Sequence, residues 1–134
     1  MSNAFVTGGS RGIGRAAVLK FIEKGWGFAF TYVSNKDAAN ETIQLAKEIN
    51  PDLPVKAYQL DLGNSEQIEE VVENAINDFE DIDALINNAA TVRDNAAVMM
   101  SNEEWEAVIN TNLSGPFYMI RSFLMHFISN KNGR

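Results

Sequence analysis

The segment TGGSRGIG, from Thr7 to Gly14, decides the fold of this 134-residue chain. It follows the short apolar run NAFV at residues 3–6, and it precedes RAAVLKFI at residues 15–22, whose apolar positions have helical spacing. A strand, a glycine-rich turn and a helix in this order form a corner at which the backbone can approach a phosphate closely. The free N–H groups and the positive dipole at the start of the helix would then hold the phosphates of a dinucleotide.

Strand-like and helix-like segments alternate along the rest of the chain. The predicted strands cover residues 3–7, 27–33, 55–60 and 83–87, and the predicted helices cover residues 12–24, 36–49, 64–79 and 101–129. Asn64 with Gln67 and Ser101 with Glu104 have the spacing of capping boxes, which mark the start of two of these helices. Segments that alternate in this way predict right-handed crossovers between parallel strands.

The alternation predicts a Rossmann-type, doubly wound α/β sheet with the strand order 3-2-1-4. Four strands make only the first half of such a sheet, so we interpret residues 1–134 as one dinucleotide-binding domain that is truncated after about four strands. The alternative is another α/β fold in which the glycine-rich turn arose by chance.

The composition argues against several classes of function. A net charge of −7 disfavours nucleic acid and anionic membranes as partners. No apolar stretch approaches the ~20 residues of a membrane span, and no secretory pattern precedes the first strand, so we expect a cytoplasmic protein. The chain has no cysteine and one histidine, His126, so it offers no thiolate metal site and no histidine-based triad. We expect His126 at the surface or in an interface.

Three motifs, in order and over nearly the whole chain, resemble the short-chain dehydrogenase/reductase family. TGxxxGIG occurs at residues 7–14, and the family's NNAG motif appears as NNAA at residues 87–90, with Ala90 adding a methyl group beside the expected cofactor. Asp61 and Leu62 match the family's adenine-contacting pair. The resemblance implies a nicotinamide cofactor held by these residues: Gly8, Ser10, Arg11, Gly12, Ile13, Gly14, Asp61, Leu62, Asn88, Ala89 and Ala90. The alternatives are a solvated acid at Asp61 and a simple turn residue at Asn88.

The residues after the second predicted strand favour NADP(H) over NAD(H). NAD-binding folds place an acid about 20 residues past the glycines to bind the ribose 2′-hydroxyl. Here the strand runs into Ser34, Asn35 and Lys36, and Asp37 is predicted to be helical already. Arg11 offers a cation and five donors to a 2′-phosphate, and Ser34, Asn35 and Lys36 would add hydrogen bonds and charge. Alternatively, Arg11 faces solvent and Lys36 makes no contact.

WEAVINTNLSGPF, residues 105–117, resembles the family's helix that carries its catalytic asparagine, and matching by residue puts Asn112, not Asn110, at that position. In a helix the N–H of residue 116 would bond the carbonyl of Asn112, but Pro116 has no N–H. The Asn112 carbonyl is therefore predicted to be free for a water or side chain. In the family this carbonyl holds a water of the proton relay. The alternative is that Gly115 and Pro116 only kink a packed helix.

The resemblance implies three further catalytic residues, a serine and a Y-x-x-x-K pair, which in the family follow a fifth strand. The one Y-x-x-x-K here, Tyr32 to Lys36, would lie near the adenosine and is rejected. We expect residues 1–134 to carry the cofactor half-site of an NADP(H)-dependent carbonyl reductase and to be inactive alone. Residues 88–94 and Glu104–Trp105 favour the 3-oxoacyl-[acyl-carrier-protein] reductase subgroup, with a small or acyl-carrier-bound carbonyl as substrate.

Other interpretations remain open. The chain could be a non-catalytic nucleotide-binding module, a truncated fragment or a structural protein with a vestigial site. An apolar stripe on the last helix and an unpaired outer edge of the fourth strand favour a homo-oligomer, since the family packs this helix against a second subunit. The contacts would run through residues 103–129 and that strand edge. The stripe, which we expect to serve as interface as well as core, contains Phe117, Ile120, Phe123, Leu124, Phe127 and Ile128.

Overall fold

Parallel strands and helices alternate in the computed structural model, which describes residues 1–134. The strands are β1 (Asn3–Val6), β2 (Gly27–Tyr32), β3 (Val55–Gln59) and β4 (Ala84–Ile86). The helices are α1 (Gly12–Glu23), α2 (Lys36–Ile49), α3 (Ser65–Phe79), α4 (Asn102–Ile109) and α5 (Gly115–Asn130), with a π-helical turn over Asn110–Ser114 between the last two. The predicted elements are all present, and their bounds differ from the predicted ones by one or two residues at most ends.

The four strands form one parallel sheet in the order β3-β2-β1-β4. This confirms the predicted strand order and the doubly wound α/β class. Each crossover between neighbouring strands carries a helix, as parallel pairing requires. The carboxyl ends of all four strands therefore meet at one edge of the sheet, where the glycine-rich turn also lies.

The strand residues alternate between two separate cores, one on each face of the sheet. Ala4 and Val6 of β1 pack with α1 and α2, whereas Phe5 points to α3 and α5. In the same way Phe28 of β2 belongs to the first core and Ala29 to the second. This period of two within strands that are apolar throughout is what a sheet covered on both faces needs.

Helix α5 approaches the sheet closely at its first residue. A Cβ at Gly115 would lie 3.0 Å from the Cβ of Leu62, so glycine lets the helix pass against the corner that follows β3. Farther along, the Phe123 ring packs 5.3 Å from the Phe5 ring, measured between centroids. These contacts hold α5 on the α3 side of the sheet.

One of the two predicted capping boxes is present in full. The Ser101 side chain accepts from the Glu104 N–H, and the Glu104 carboxylate accepts from the Ser101 N–H. At α3 only half the box forms: Asn64 accepts from the Gln67 N–H, but the Gln67 side chain accepts from the Asp61 N–H at 2.7 Å. Gln67 thus braces the β3–α3 corner, and that second prediction was wrong in this detail.

The outer edge of β4 is partly paired, which corrects the expectation of an open edge. Arg134 donates its N–H to the Asp83 carbonyl at 3.1 Å, and its carbonyl accepts from the Leu85 N–H at 2.8 Å.

His126 is also less exposed than expected, with its side chain 13% exposed and Nε2 2.8 Å from Asp81 Oδ1. None of the helices combines the length and apolar character that a membrane crossing demands.

Candidate functional site

A cleft of about 840 Å³ opens at the carboxyl ends of the strands. Its walls come from the glycine-rich turn, the end of β2, the β3–α3 corner and the segment after β4. All the predicted cofactor-binding residues except Gly14 line it: Gly8, Ser10, Arg11, Gly12, Ile13, Ser34, Asn35, Asp61, Leu62, Asn88, Ala89 and Ala90. A second groove of about 470 Å³, between α3 and α5, contains none of them.

Several glycines of the turn are required by its geometry, and Gly8 and Gly14 show the two reasons. Gly8 has φ = +76°, a backbone conformation that residues with a Cβ rarely adopt. Gly14 is buried beneath the turn, where a Cβ would collide with the Gly8 carbonyl oxygen. Gly14 therefore serves the site by letting α1 start directly under the turn, rather than by lining the cleft.

Buried threonines hold the turn in place. Thr31 accepts from the Gly8 N–H through its hydroxyl at 3.0 Å and from the Gly9 N–H through its carbonyl at 2.9 Å. The Thr7 hydroxyl accepts from the N–H groups of Asn88 and Ala89, both at 3.0 Å. Asn88 in return donates from its amide to the Thr7 and Gly8 carbonyls at 3.1 and 3.2 Å. Asn88 is therefore a clamp between β1 and the segment after β4, and more than a turn residue.

The start of α1 is open toward the cleft. Its first backbone hydrogen bond runs from the Arg15 N–H to the Arg11 carbonyl, and no side chain caps the helix. The N–H groups of Gly12, Ile13 and Gly14 consequently have no partner within the chain. The Ile13 side chain beside them is 81% exposed. Unpaired N–H groups and an uncovered apolar side chain fit the phosphates and flat rings of a dinucleotide.

The corner that would receive a ribose 2′-substituent contains a free cation. Arg11 is exposed, and its guanidinium makes no hydrogen bond or ion pair within the chain. Facing it, Asn35 uses its side-chain oxygen to cap α2, accepting from the Ala38 N–H at 3.0 Å, which leaves its amide N–H groups as donors. Lys36 and Asp37 are the first residues of α2 and lie outside the cleft lining.

Asp61 is partly committed to its own turn. One carboxylate oxygen accepts from the Gly63 N–H at 2.9 Å, and the other oxygen makes no hydrogen bond within the chain. The neighbouring Leu62 is buried and fixes the corner against α5. Asp61 is thus held at the cleft wall by its hydrogen bond to Gly63, with its second carboxylate oxygen available as an acceptor.

Asn112 lies beside the cleft, not in its lining, and its side chain holds the loop after β4. Its Oδ1 accepts from the Thr91 N–H and its Nδ2 donates to the Thr91 carbonyl, both at 2.8 Å. Asn110 and Thr111 line the cleft instead. Around Pro116 the helix widens to a π-helical turn in which the Gly115 N–H bonds the Asn110 carbonyl, so it continues without a break. The catalytic role of Asn112 stays a prediction.

The loop after β4 is tied to the start of α4 by polar contacts. Arg93 lines the cleft and donates to the Thr91 hydroxyl and the Val92 carbonyl, both at 2.9 Å. The Ser101 N–H and the Asn95 amide hold the pKa of the Glu104 carboxyl below its ordinary value of 4.5. The loop thus carries one cation into the cleft. No group of three His, Asp or Glu side chains is placed to hold a metal ion.

Sequence reasoning missed the polar residues that support the site from behind. Thr7 and Thr31 were visible as polar residues in apolar strands, which is a signal for a buried hydrogen bond. Arg15 and Thr42 gave no such signal, since an arginine and a threonine within helices are ordinary surface residues. Yet Thr42 is fully buried, and the Arg15 guanidinium bonds the Ser10 carbonyl at 2.6 Å.

Known proteins resemble this chain in sequence and in fold. Residues 2–134 match the family model described as short chain dehydrogenase. The chain is 32% identical over 131 residues to the 3-oxoacyl-[acyl-carrier-protein] reductase FabG of Staphylococcus epidermidis, covering 98% of this chain and 53% of that protein. It is 36% identical over 130 residues to the reductase of the same name from Thermotoga maritima, covering 96% and 51%.

Solved structures show the same fold. Levodione reductase superposes with a TM-score of 0.92 at 25% identity, over 98% of this chain and 51% of that chain. NAD⁺-bound xylitol dehydrogenase superposes with a TM-score of 0.91 at 25% identity, over 99% and 50%. The chain therefore spans about half the length of the curated relatives and solved structures that it matches.

Proposed function

The chain belongs to the short-chain dehydrogenase family, and we propose that it carries the cofactor half-site of an NADP(H)-dependent carbonyl reductase. The observation that carries the proposal is the cleft at the strand ends, where unpaired N–H groups, the glycine turn and a free arginine meet. These groups suit the phosphates of a dinucleotide. When bound, the nicotinamide supplies the hydride for carbonyl reduction, and the residues of this chain orient the cofactor.

The choice of NADP(H) rests on the charge at the ribose corner. Arg11 is the cation available there, and Asp37, the first acid after β2, lies on α2 outside the lining. A guanidinium without an internal partner suits a phosphate better than a hydroxyl. Likeness in fold to an NAD⁺-bound dehydrogenase does not bear on this choice, because the fold serves both cofactors.

The substrate class comes from the relatives and from the loop after β4. Two of the relatives described above are named as 3-oxoacyl-[acyl-carrier-protein] reductases, and this loop carries the segment NAATVRD at residues 88–94. We therefore propose a 3-oxoacyl thioester or a similar carbonyl as the substrate. A non-catalytic nucleotide-binding module is the alternative.

None of the three tyrosines of the chain is placed to protonate a carbonyl. Tyr32 lines the cleft at its ribose corner, and Tyr118 lies on α5 outside the lining. Burial and the neighbouring Asp78 raise the pKa of Tyr58 far above its ordinary value, which makes it unsuited to proton transfer near neutral pH. In this proposal residues 1–134 bind the cofactor, and the proton donor comes from other residues.

Assembly forms a further part of the proposal. Helix α5 exposes several large apolar side chains on the side away from the sheet, and we propose that a second copy of the chain covers them. The exposed residues are Phe117, Ile120, Leu124 and Ile128.

Calorimetric titration of NADPH and NADH into the chain tests the cofactor assignment. We expect saturable binding of both with NADPH favoured. Arg11→Met should weaken NADPH by about 10- to 100-fold, the value of a charge-assisted hydrogen bond, and leave NADH nearly unchanged. Lys36→Met is the matched control, because it removes a neighbouring cation that lies outside the lining.

Two results would count against the proposal. Binding of neither cofactor would favour a structural protein with a vestigial site, and a preference for NADH would exclude the NADP(H) assignment. An assay of 3-oxoacyl thioester reduction separates the enzyme from the binding module. We expect turnover only when residues outside this cofactor half-site supply the Y-x-x-x-K segment, and a protein that has this segment and still shows no turnover would be a non-catalytic module.

A further inference from the structure

Arg15 joins the glycine-rich turn to helix α2. Its Nε lies 3.1 Å from the Ser10 carbonyl and 2.9 Å from the Thr42 hydroxyl. Its Nη2 lies 2.6 Å from the Ser10 carbonyl, 3.1 Å from the Ala38 carbonyl and 3.0 Å from a carboxylate oxygen of Glu41. One guanidinium therefore connects the turn to residues 38, 41 and 42, which share one face of α2.

Thr42 completes this connection from the other side. It is fully buried, and its hydroxyl oxygen lies 3.2 Å from the Gly9 carbonyl and 3.3 Å from the Ser10 carbonyl. The hydroxyl accepts from Arg15, and its one proton is shared between these carbonyls and the Ala38 carbonyl, which lies 3.2 Å away in the same helix. The Arg15 side chain is 22% exposed and Glu41 is 61% exposed, so solvent screens their ion pair more than it screens the Arg15 contacts with Ser10 and Thr42.

Arg15 does not line the cleft, but two of its partners do, and they belong to two different segments that wall it. Ser10 stands beside Arg11 on the wall made by the turn, and Ala38 stands with Asn35 on the wall made by the start of α2. Pairing between the turn and β2 extends as far as the hydrogen bond from Gly9 to Thr31. Beyond that point, Arg15 and Thr42 provide the only hydrogen bonds between the two walls.

We propose that Arg15 is a positioning residue for cofactor choice, which fixes the distance between the two walls that receive the ribose 2′-phosphate. The inference rests on the proposed NADP(H) function. A 2′-phosphate must contact Arg11 on one wall and Ser34 or Asn35 on the other at the same time. A change in wall spacing therefore weakens NADPH, while NADH, which has no group there, loses little.

Arg15→Lys is the variant that tests this role. Lysine keeps the charge, but a single ammonium cannot replace the planar fork that reaches the turn and α2 together. We expect the ratio of NADPH to NADH affinity to fall by about tenfold in calorimetric titration. Adenosine 2′,5′-bisphosphate should weaken by the same factor, and 5′-AMP should be unchanged. Arg121→Lys, the same substitution at an exposed arginine on α5, should leave all four affinities unchanged.

A purely structural role makes a different prediction. It would lower the affinity for NADPH and NADH by the same factor, together with the melting temperature, and that result would overturn the inference. The double variant Arg11→Met/Arg15→Lys tests the route of the effect. If Arg15 acts through Arg11, the affinity ratio of the double variant equals that of Arg11→Met alone, whereas additive losses would contradict the proposed route.

The controls separate this inference from the proposed function. If the unmodified chain does not prefer NADPH, the proposed function fails before Arg15 is tested. If it prefers NADPH and Arg15→Lys keeps the same ratio, only the inference about Arg15 fails. Should Arg15→Lys not fold, Thr42→Val removes one partner of the guanidinium with little change of shape. It should lower the ratio in the same direction, and an unchanged ratio would overturn the inference.

Discussion

The two faces of the sheet are covered to different degrees. On the first face, α1 and α2 bury Val18, Ile22 and Ala46 against the sheet, and the outward side of α2 is polar. On the second face, α3 and α5 bury Met119 and Phe123, but α5 carries a second apolar side that faces outward. Phe117 and Ile128 on that side are 57% and 58% exposed.

The two helices differ in the number of apolar surfaces that they carry: α2 has one, and α5 has two. An amphipathic helix such as α2 needs one partner, whereas a helix that is apolar around most of its circumference is stable in water only when it is covered on both sides. The sheet accounts for one side of α5. The other side of α5 is exposed and is the surface on which the proposed second copy would pack, and none of its apolar residues lines the cleft.

The largest effect should come from removing one large side chain from each core. Phe28 and Phe123 are both fully buried, on the first and second face. Phe28→Ala and Phe123→Ala should each lower the free energy of unfolding by about 3–5 kcal/mol, from lost burial and the cavity left behind. Urea denaturation measures both. Phe117→Ala, a matched change at an exposed position on α5, should cost much less.

Unequal losses of unfolding free energy in Phe28→Ala and Phe123→Ala would show that the two cores do not stabilise the chain equally. If Phe123→Ala cost less than about 1 kcal/mol, helix α5 would not be firmly packed in the separate chain. The core of the second face would then contribute less to stability than the core of the first face.

A smaller effect is expected on assembly. Phe117→Glu should weaken self-association by about 1.5–3 kcal/mol per subunit, since an apolar side chain buried in the contact becomes a charge. Sedimentation velocity over a concentration series measures this. Ile49→Glu is the matched control on the first face, where Ile49 is 42% exposed at the end of α2. A chain that is monomeric at tens of micromolar before any substitution would contradict the proposed contact.

The fold followed from local signals. The turn at residues 7–14 needs glycine at positions 8 and 14 for steric reasons, and the glycine spacing that meets this need is visible in the sequence. Strand order followed because parallel strands joined by helices have few allowed arrangements. The strand-end position of Asp61 and Asn88 followed in turn, and both lie in the cleft.

What could not be predicted depends on contacts between distant residues. Arg15 meets Glu41 from 26 positions away, and His126 meets Asp81 from 45 positions away. No spacing rule relates such pairs. The π-helical turn at Asn110–Ser114 was missed for another reason: Pro116 removes one hydrogen bond, but sequence alone does not say whether the helix kinks or widens in response.

The smallest effect concerns the polar tie on the second face, the counterpart of the Arg15 cluster on the first. The Tyr58 hydroxyl donates to an Asp78 carboxylate oxygen at 2.6 Å, and the Lys56 ammonium contacts the same oxygen. Tyr58→Phe should cost about 0.5–1.5 kcal/mol near neutral pH, with the lower end favoured because Asp78 is 36% exposed. Tyr118→Phe is the control, because the Tyr118 hydroxyl makes no hydrogen bond within the chain.

The contribution of the Tyr58–Asp78–Lys56 contact to the free energy of unfolding should depend on pH. Hydrogen bonds from Lys56 and Tyr58 lower the pKa of Asp78 below its ordinary value of 3.8. The stabilisation is therefore fully present above the unfolded-state pKa and is lost as the pH falls through the lowered folded-state pKa. The difference in unfolding free energy between the chain and Tyr58→Phe should shrink over that acidic range. A difference that stayed constant down to pH ~2 would contradict a contribution that depends on the charged Asp78 carboxylate.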